Sequence, residues 1–75
     1  MSIKELGEKL SEMYNNAPQG DAVAMIHLFG IKYSEQISKS GYSKKDIANS
    51  AGIQESYSTE ISKGMKLAKY VISKN

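Results

Sequence analysis

Apolar residues recur along this chain at steps of three and four, and small polar residues stand where such runs begin and end. Ile3, Leu6, Leu10 and Met13 form one stripe on a helix. Ser2-Ile3-Lys4-Glu5 precedes it as a capping box: the Ser2 hydroxyl can accept from the backbone while Glu5, three residues on, reaches back. Glu5 and Lys9 add an i,i+4 pair on the outer side. The pattern predicts a helix over 2–15, broken by Asn15-Asn16-Ala17-Pro18-Gln19-Gly20.

A second run follows. Asp21 suits an N-cap, and Val23, Ile26, Phe29, Tyr33 and Ile37 keep a helical period, so a helix is expected over 21–40, ending near Gly41. Gly30 weakens its middle, and marks either close packing against the first helix or a kink between two shorter helices. Ser43-Lys44-Lys45-Asp46 is a second capping signal, and Ile47, Ala48 and Ala51 give a short helix that stops at Gly52. Tyr57, Ile61, Met65, Ala68 and Val71 carry a helical period to about residue 73, interrupted by Gly64. No hairpin dipeptide and no period-two run occurs. The pattern is all-α: a compact bundle of four to five helices in one domain, 1–75.

The stretch from Ser43 to Gly64 meets the demands of a helix-turn-helix, two helices crossing steeply through a turn of three to four residues. Ala48 is small where the second helix must cross the first. Gly52, four positions later, tolerates positive φ in the turn. Ile53 can plug the core just after the turn, and Ile61 returns an apolar residue from the second helix.

On these residues the segment from Ile31 to Gly64 resembles the phage-repressor-like helix-turn-helix family. Gly41 to Ala48 looks like that family's entry into its first motif helix, Ala51-Gly52-Ile53 like its turn, and Ile61-Ser62-Lys63-Gly64 like the end of its recognition helix. Ser43 matches the usual N-cap and Gly64 the usual terminating glycine. The departures are specific. Ser58 stands where the family has Ile or Val, which shifts the core contact to Tyr57, and Glu60 replaces a common basic residue. The two full helices that usually follow are missing, and an added N-terminal helix takes their place. The whole chain also resembles small helix-turn-helix-like domains found alone or attached to prokaryotic DNA-modifying and restriction proteins; no residue role is carried over from that likeness.

The resemblance implies double-stranded DNA as partner, through a transcriptional regulator or the DNA-recognition module of a larger prokaryotic system. The helix starting near Gln54 would enter the major groove. Gln54, Glu55, Ser56, Ser58 and Thr59 are the candidate base-contacting residues: Gln54 suits adenine, Glu55 could accept from cytosine, and the hydroxyls serve either bases or phosphates. Glu55 is more simply a helix-start charge, and Tyr57 a core plug. Lys44, Lys45, Lys63, Lys66 and Lys69 are the candidate phosphate contacts, against the plainer reading of a solvated lysine surface. Ser43, Ile47, Ala48, Gly52, Ile53, Tyr57 and Ile61 would hold the motif together.

Charge changes this picture slightly. The net charge is only +2, but residues 43–75 hold six Lys against three acids, whereas residues 1–42 hold four against five. All ten basic residues are lysines, so arginine, the commonest guanine reader, is absent. With no cysteine and one histidine, His27, neither a disulfide framework nor a thiolate or zinc site is expected. His27 reads as a packed or exposed side chain rather than a ligand. No glycine-rich phosphate loop or nucleophile–base pair is present, so neither an enzyme nor a cofactor or small-molecule substrate is expected. The amphipathic start is neither a signal peptide nor a membrane span, which points to the cytoplasm. Starting at Met1 favours a whole protein or an N-terminal domain. A helical protein-interaction module without direct DNA contact is the alternative function, and a homodimer fits either.

Overall fold

The computed structural model describes residues 1–72 as five helices, α1 (Ile3–Asn15), α2 (Ala22–Lys32), α3 (Ser34–Ser40), α4 (Lys44–Ala51) and α5 (Ser58–Leu67), with a 3-10 turn at Glu55–Tyr57. Among the described residues there is no strand. The capping box at α1 forms in full: Glu5 N–H donates to Ser2 Oγ at 3.1 Å, and Ser2 N–H to Glu5 Oε1 at 3.0 Å. The chain then turns through Pro18–Asp21, where Asp21 N–H donates to Pro18 O at 2.9 Å and Gly20 adopts positive φ.

Every helix contributes to one core. Leu6 and Leu10 of α1, Ile26 and Phe29 of α2, Ile37 of α3, Ile47 and Ala48 of α4, and Ile61 of α5 are buried together. Fully burying each of the larger of these side chains favours folding by roughly 1.5–3 kcal/mol. Met13, Tyr14, Tyr33, Ala51, Ile53, Tyr57 and Met65 close the rim.

Two helix pairs approach through glycine. α1 lies on α4 where Gly7 meets Ser50, whose Oγ also donates to Ile3 O at 3.2 Å. α2 lies on α5 where Gly30 meets Gly64. A side chain at either position would overlap the other helix.

Several sequence expectations change here. The helix expected over 21–40 divides into α2 and α3 at Tyr33, not at Gly30. Tyr33 sits at φ −109° and ψ 16°, and its ring packs on Phe29 at 5.2 Å between centroids. Gly30 marks close packing, but against α5 rather than α1. Asp21 precedes α2 without a side-chain cap bond, and Val23 in the first turn is exposed. Gly64 does not terminate or interrupt α5; the helix runs through it to Leu67 and ends in turns. The helical period to about residue 73 is not realised at Val71, and residue 73 lies outside the described residues. No described helix is long and apolar enough to cross a membrane.

Candidate nucleic-acid interface

The chain reverses between α4 and the 3-10 turn in three residues, Gly52-Ile53-Gln54. Ser43 Oγ opens α4 by accepting from Asp46 N–H at 3.0 Å. Gly52 closes it at φ 76°, donating to Asn49 O at 3.1 Å, while Ile53 N–H donates to Ala48 O at 3.2 Å. This pair of bonds is a Schellman cap, which satisfies two orphan carbonyls and needs a left-handed residue at the glycine position. It directs Ile53 into the rim of the core and sends the chain out toward Gln54.

Gln54 is extended, at φ −61° and ψ 137°, and the 3-10 turn then leads into α5. Ser58, Ile61 and Gly64 face inward. The opposite side carries Ser56, Thr59, Lys63 and Lys66, all exposed and spaced by three, four and three residues. These four therefore make one outward stripe, hydroxyls at its start and lysines at its end. Tyr57 turns from the stripe toward α1, where its ring meets Tyr14 at 5.7 Å between centroids. The N-terminal helix thus braces both halves of the motif, α4 through Ser50 and the start of the reading segment through Tyr57.

A family model described as an HTH-like (helix-turn-helix-like) domain matches residues 2–74. The chain belongs to the HTH-like domain family. This is a kind of domain that binds DNA rather than catalysing a reaction. No curated protein and no solved structure matches the chain.

Within this HTH-like domain the candidate residues separate by environment. Gln54 and Ser56 are exposed. Glu55 is exposed but accepts from Asn49 Nδ2 at 3.2 Å, which folds it back over α4. Thr59 is exposed, with its hydroxyl proton given to Ser56 O at 3.0 Å. Ser58 is 8% exposed and turned into the bundle, so its burial removes it from the candidate base-contacting row. The inward position usually apolar in the resembling family is thus occupied by Ser58 itself, with Tyr57 packed beside it.

The lysines divide too. Lys45 is exposed and Lys44 half-buried at the start of α4, while Lys66 and Lys69 are exposed at and beyond the end of α5. Lys63 Nζ lies 3.4 Å from Glu60 Oε2. The motif residues Ile47, Ala48 and Ile61 are buried, with Ile53 and Tyr57 partly so, and Ser43 and Gly52 are the exposed caps.

Sequence reasoning missed two arrangements. His27 Nε2 lies 2.7 Å from Glu60 Oε1, with the two side chains 30% and 19% exposed. The His27 bond, first, and then the Lys63 ammonium hold the Glu60 carboxyl below its usual range, against some burial. The departure at Glu60 from the family pattern was the available signal, but its partner is 33 residues away. The second is the approach of Gly7 to Ser50, for which the only signal was a glycine inside a strongly periodic helix. Among the described residues, no group of three or more His, Cys, Asp or Glu could hold a metal.

Proposed function

We propose that this HTH-like domain binds double-stranded DNA by laying the segment from Gln54 to Lys66 along the major groove. The observation that carries this reading is the outward stripe Ser56–Thr59–Lys63–Lys66, presented on the helix that follows a tight Gly52 turn. Residues at the start of such a helix meet base edges, and cations further along meet phosphates. Gln54, the exposed amide at the entrance, reads adenine, and the exposed Thr59 offers a methyl group to thymine. Lys45, with Lys44, contacts a phosphate at the start of α4, where backbone N–H groups also point outward. Lys66 and Lys69 extend the phosphate row.

The Gly52 turn supports reading the segment on the phage-repressor-like pattern, with the bracing N-terminal helix as this chain's departure from it. A transcriptional regulator, or the recognition module of a larger prokaryotic assembly, would use the domain in this way. Titration of a labelled random-sequence duplex at several salt concentrations tests the reading. Wild type binds in the micromolar to sub-millimolar range, in the region of nonspecific affinities of about 10⁻⁴–10⁻⁶ M, and weakens with salt. Lys44→Glu/Lys45→Glu loses most of that binding. A folded wild type that fails to bind at low salt overturns the reading.

One observation favours a second reading, pairing of two copies. Leu67, Tyr70, Val71 and Ile72 are exposed in succession, with Ile72 90% exposed. The outer face of α1 is instead polar, with Glu5, Glu8 and Glu12 exposed. A dimer formed through the C-terminal residues would add DNA contacts to a domain that has no arginine. Sedimentation of wild type and Tyr70→Ser/Ile72→Ser separates the cases, since only a dimer through this surface is lost in the variant.

A further inference from the structure

Glu60 joins two otherwise separate parts of the molecule. One carboxylate oxygen meets His27 Nε2 of α2 at 2.7 Å. The other lies 3.4 Å from Lys63 Nζ and 3.4 Å from Thr59 Oγ1. Lys63 belongs to the outward stripe, so Glu60 competes with DNA for that cation, whereas the Thr59 hydroxyl proton is already given to Ser56 O at 3.0 Å. We propose that Glu60 is a positioning residue that restrains Lys63 from phosphate, and that protonation of His27 releases the restraint and strengthens DNA binding in acid.

The charges fix the direction. With His27 neutral, Glu60 and Lys63 cancel, and the cluster presents no net charge to a phosphate. With His27 protonated, the same three residues carry +1, and the Glu60 carboxylate is drawn inward by a cation on α2. Imidazole is the side chain that gains its charge between about pH 8 and 5. His27 is the chain's one histidine, so the device has one switch.

Among the described residues, His27 makes no side-chain hydrogen bond or ion pair other than that with Glu60. α5 presents Glu60, and behind it Lys63, to the imidazole; α1 and α3 make no hydrogen bond or ion pair with His27 among the described residues. The charged pair of α3, Glu35 and Lys39, is closed on itself at 2.7 Å, and α1's Lys9 faces Glu12 of its own helix. The Gly30–Gly64 contact holds the two helices close enough for the histidine to reach Glu60.

The proposal rests on the DNA-binding reading, and its test separates the two. Binding of the random-sequence duplex is measured at pH 7.5, 6.5 and 5.5 and constant ionic strength for wild type, His27→Gln and Glu60→Gln. Circular dichroism verifies that each variant is folded. Wild type should tighten about three- to fivefold on acidification, the scale of one partly screened charge. His27→Gln should stay flat, and Glu60→Gln should bind at pH 7.5 as tightly as wild type does at pH 5.5. Equal pH dependence in wild type and His27→Gln overturns the proposal, as does a Glu60→Gln variant no tighter than wild type at pH 7.5. If either variant is unfolded, the other still decides: His27→Gln by its flat pH profile, Glu60→Gln by its tighter binding than wild type at pH 7.5. Absence of binding by wild type at every pH and low salt is the distinct failure of the DNA reading, and the proposal falls with it.

Discussion

Gly30 and Gly64 face each other where α2 crosses α5, so close that a Cβ on Gly30 would lie 2.9 Å from the Gly64 Cα. A Cβ on Gly64 would run into the His27 carbonyl and stand 3.0 Å from the Gly30 Cα. The neighbours are backbone, which cannot swing aside as a side-chain tip can. The crossing fixes where α5 sits against the core, and it brings His27 to Glu60 one turn away.

Gly64→Ala therefore sets two effects against each other. Alanine favours a helix interior over glycine by about 1 kcal/mol. Overpacking against an unyielding neighbour typically costs about 1–3 kcal/mol, and here the overlap is with another helix's backbone. The clash wins, and the variant should melt lower by several degrees, since about 1 kcal/mol moves Tm by roughly 4–8 °C in a domain of this size. Thermal unfolding followed by circular dichroism measures it. An unchanged or raised Tm would show that the crossing has slack.

Gly52 fails differently. Nothing lies within 4 Å of a Cβ built there, so volume is not the obstacle. Its φ of +76° is, and an L-residue in that region costs roughly 1–2 kcal/mol. Gly52→Val should destabilise more than Gly52→Asn, because asparagine tolerates the left-handed region and valine, β-branched, does not. Equal melting temperatures for the two would contradict a conformational cause.

This difference between the glycines explains what the sequence made legible. Gly52 announces itself locally: it ends a periodic run and precedes Ile53, and the cap bonds follow from neighbours in the chain. Ser2 with Glu5, and Ser43 with Asp46, are equally local, and both Ser caps form. Gly64 resembled a terminator because the backbone that excludes its side chain, at His27 and Gly30, is 37 and 34 positions away, on α2. Ser58 suffered the same way. Its hydroxyl suggested groove contact, but its position on α5 faces the bundle, and the phase of that helix is set by the turn at Glu55–Tyr57. The division at Tyr33 carried no glycine or proline at all.

Acid should weaken the fold through its capped and paired carboxylates. The Ser2 backbone and hydroxyl hold the Glu5 carboxyl below its ordinary value, and the Lys39 ammonium does the same to Glu35. A group whose folded-state pKa is depressed contributes stability above its unfolded value, near 4.5, and loses it as pH falls through the folded value. Melting temperature should then fall as pH drops from 5 toward 3. Glu5→Gln keeps a side chain able to close the capping box but has no proton to gain there, so its acid slope should be shallower than wild type's. Identical slopes would mean that Glu5 bonds Ser2 no better as a carboxylate than as an acid.

The final prediction separates positioning from reading along the proposed DNA surface. Lys66 is exposed, with no ion pair among the described residues, and ends the outward stripe, whereas Gln54 stands exposed at its entrance. Lys66→Ala should weaken binding to every duplex alike and reduce the slope of log affinity against log salt by about 0.9, the worth of one phosphate contact. Gln54→Ala should leave that slope unchanged and instead erase a preference for A·T-containing duplexes, by roughly 1–3 kcal/mol at a specific adenine. Both residues lie outside the core, so both variants should melt with wild type. Binding to paired A·T-rich and G·C-rich duplexes at two or more salt concentrations gives the result. A Gln54→Ala variant that loses affinity uniformly, with a changed salt slope, would place Gln54 on the backbone rather than on a base.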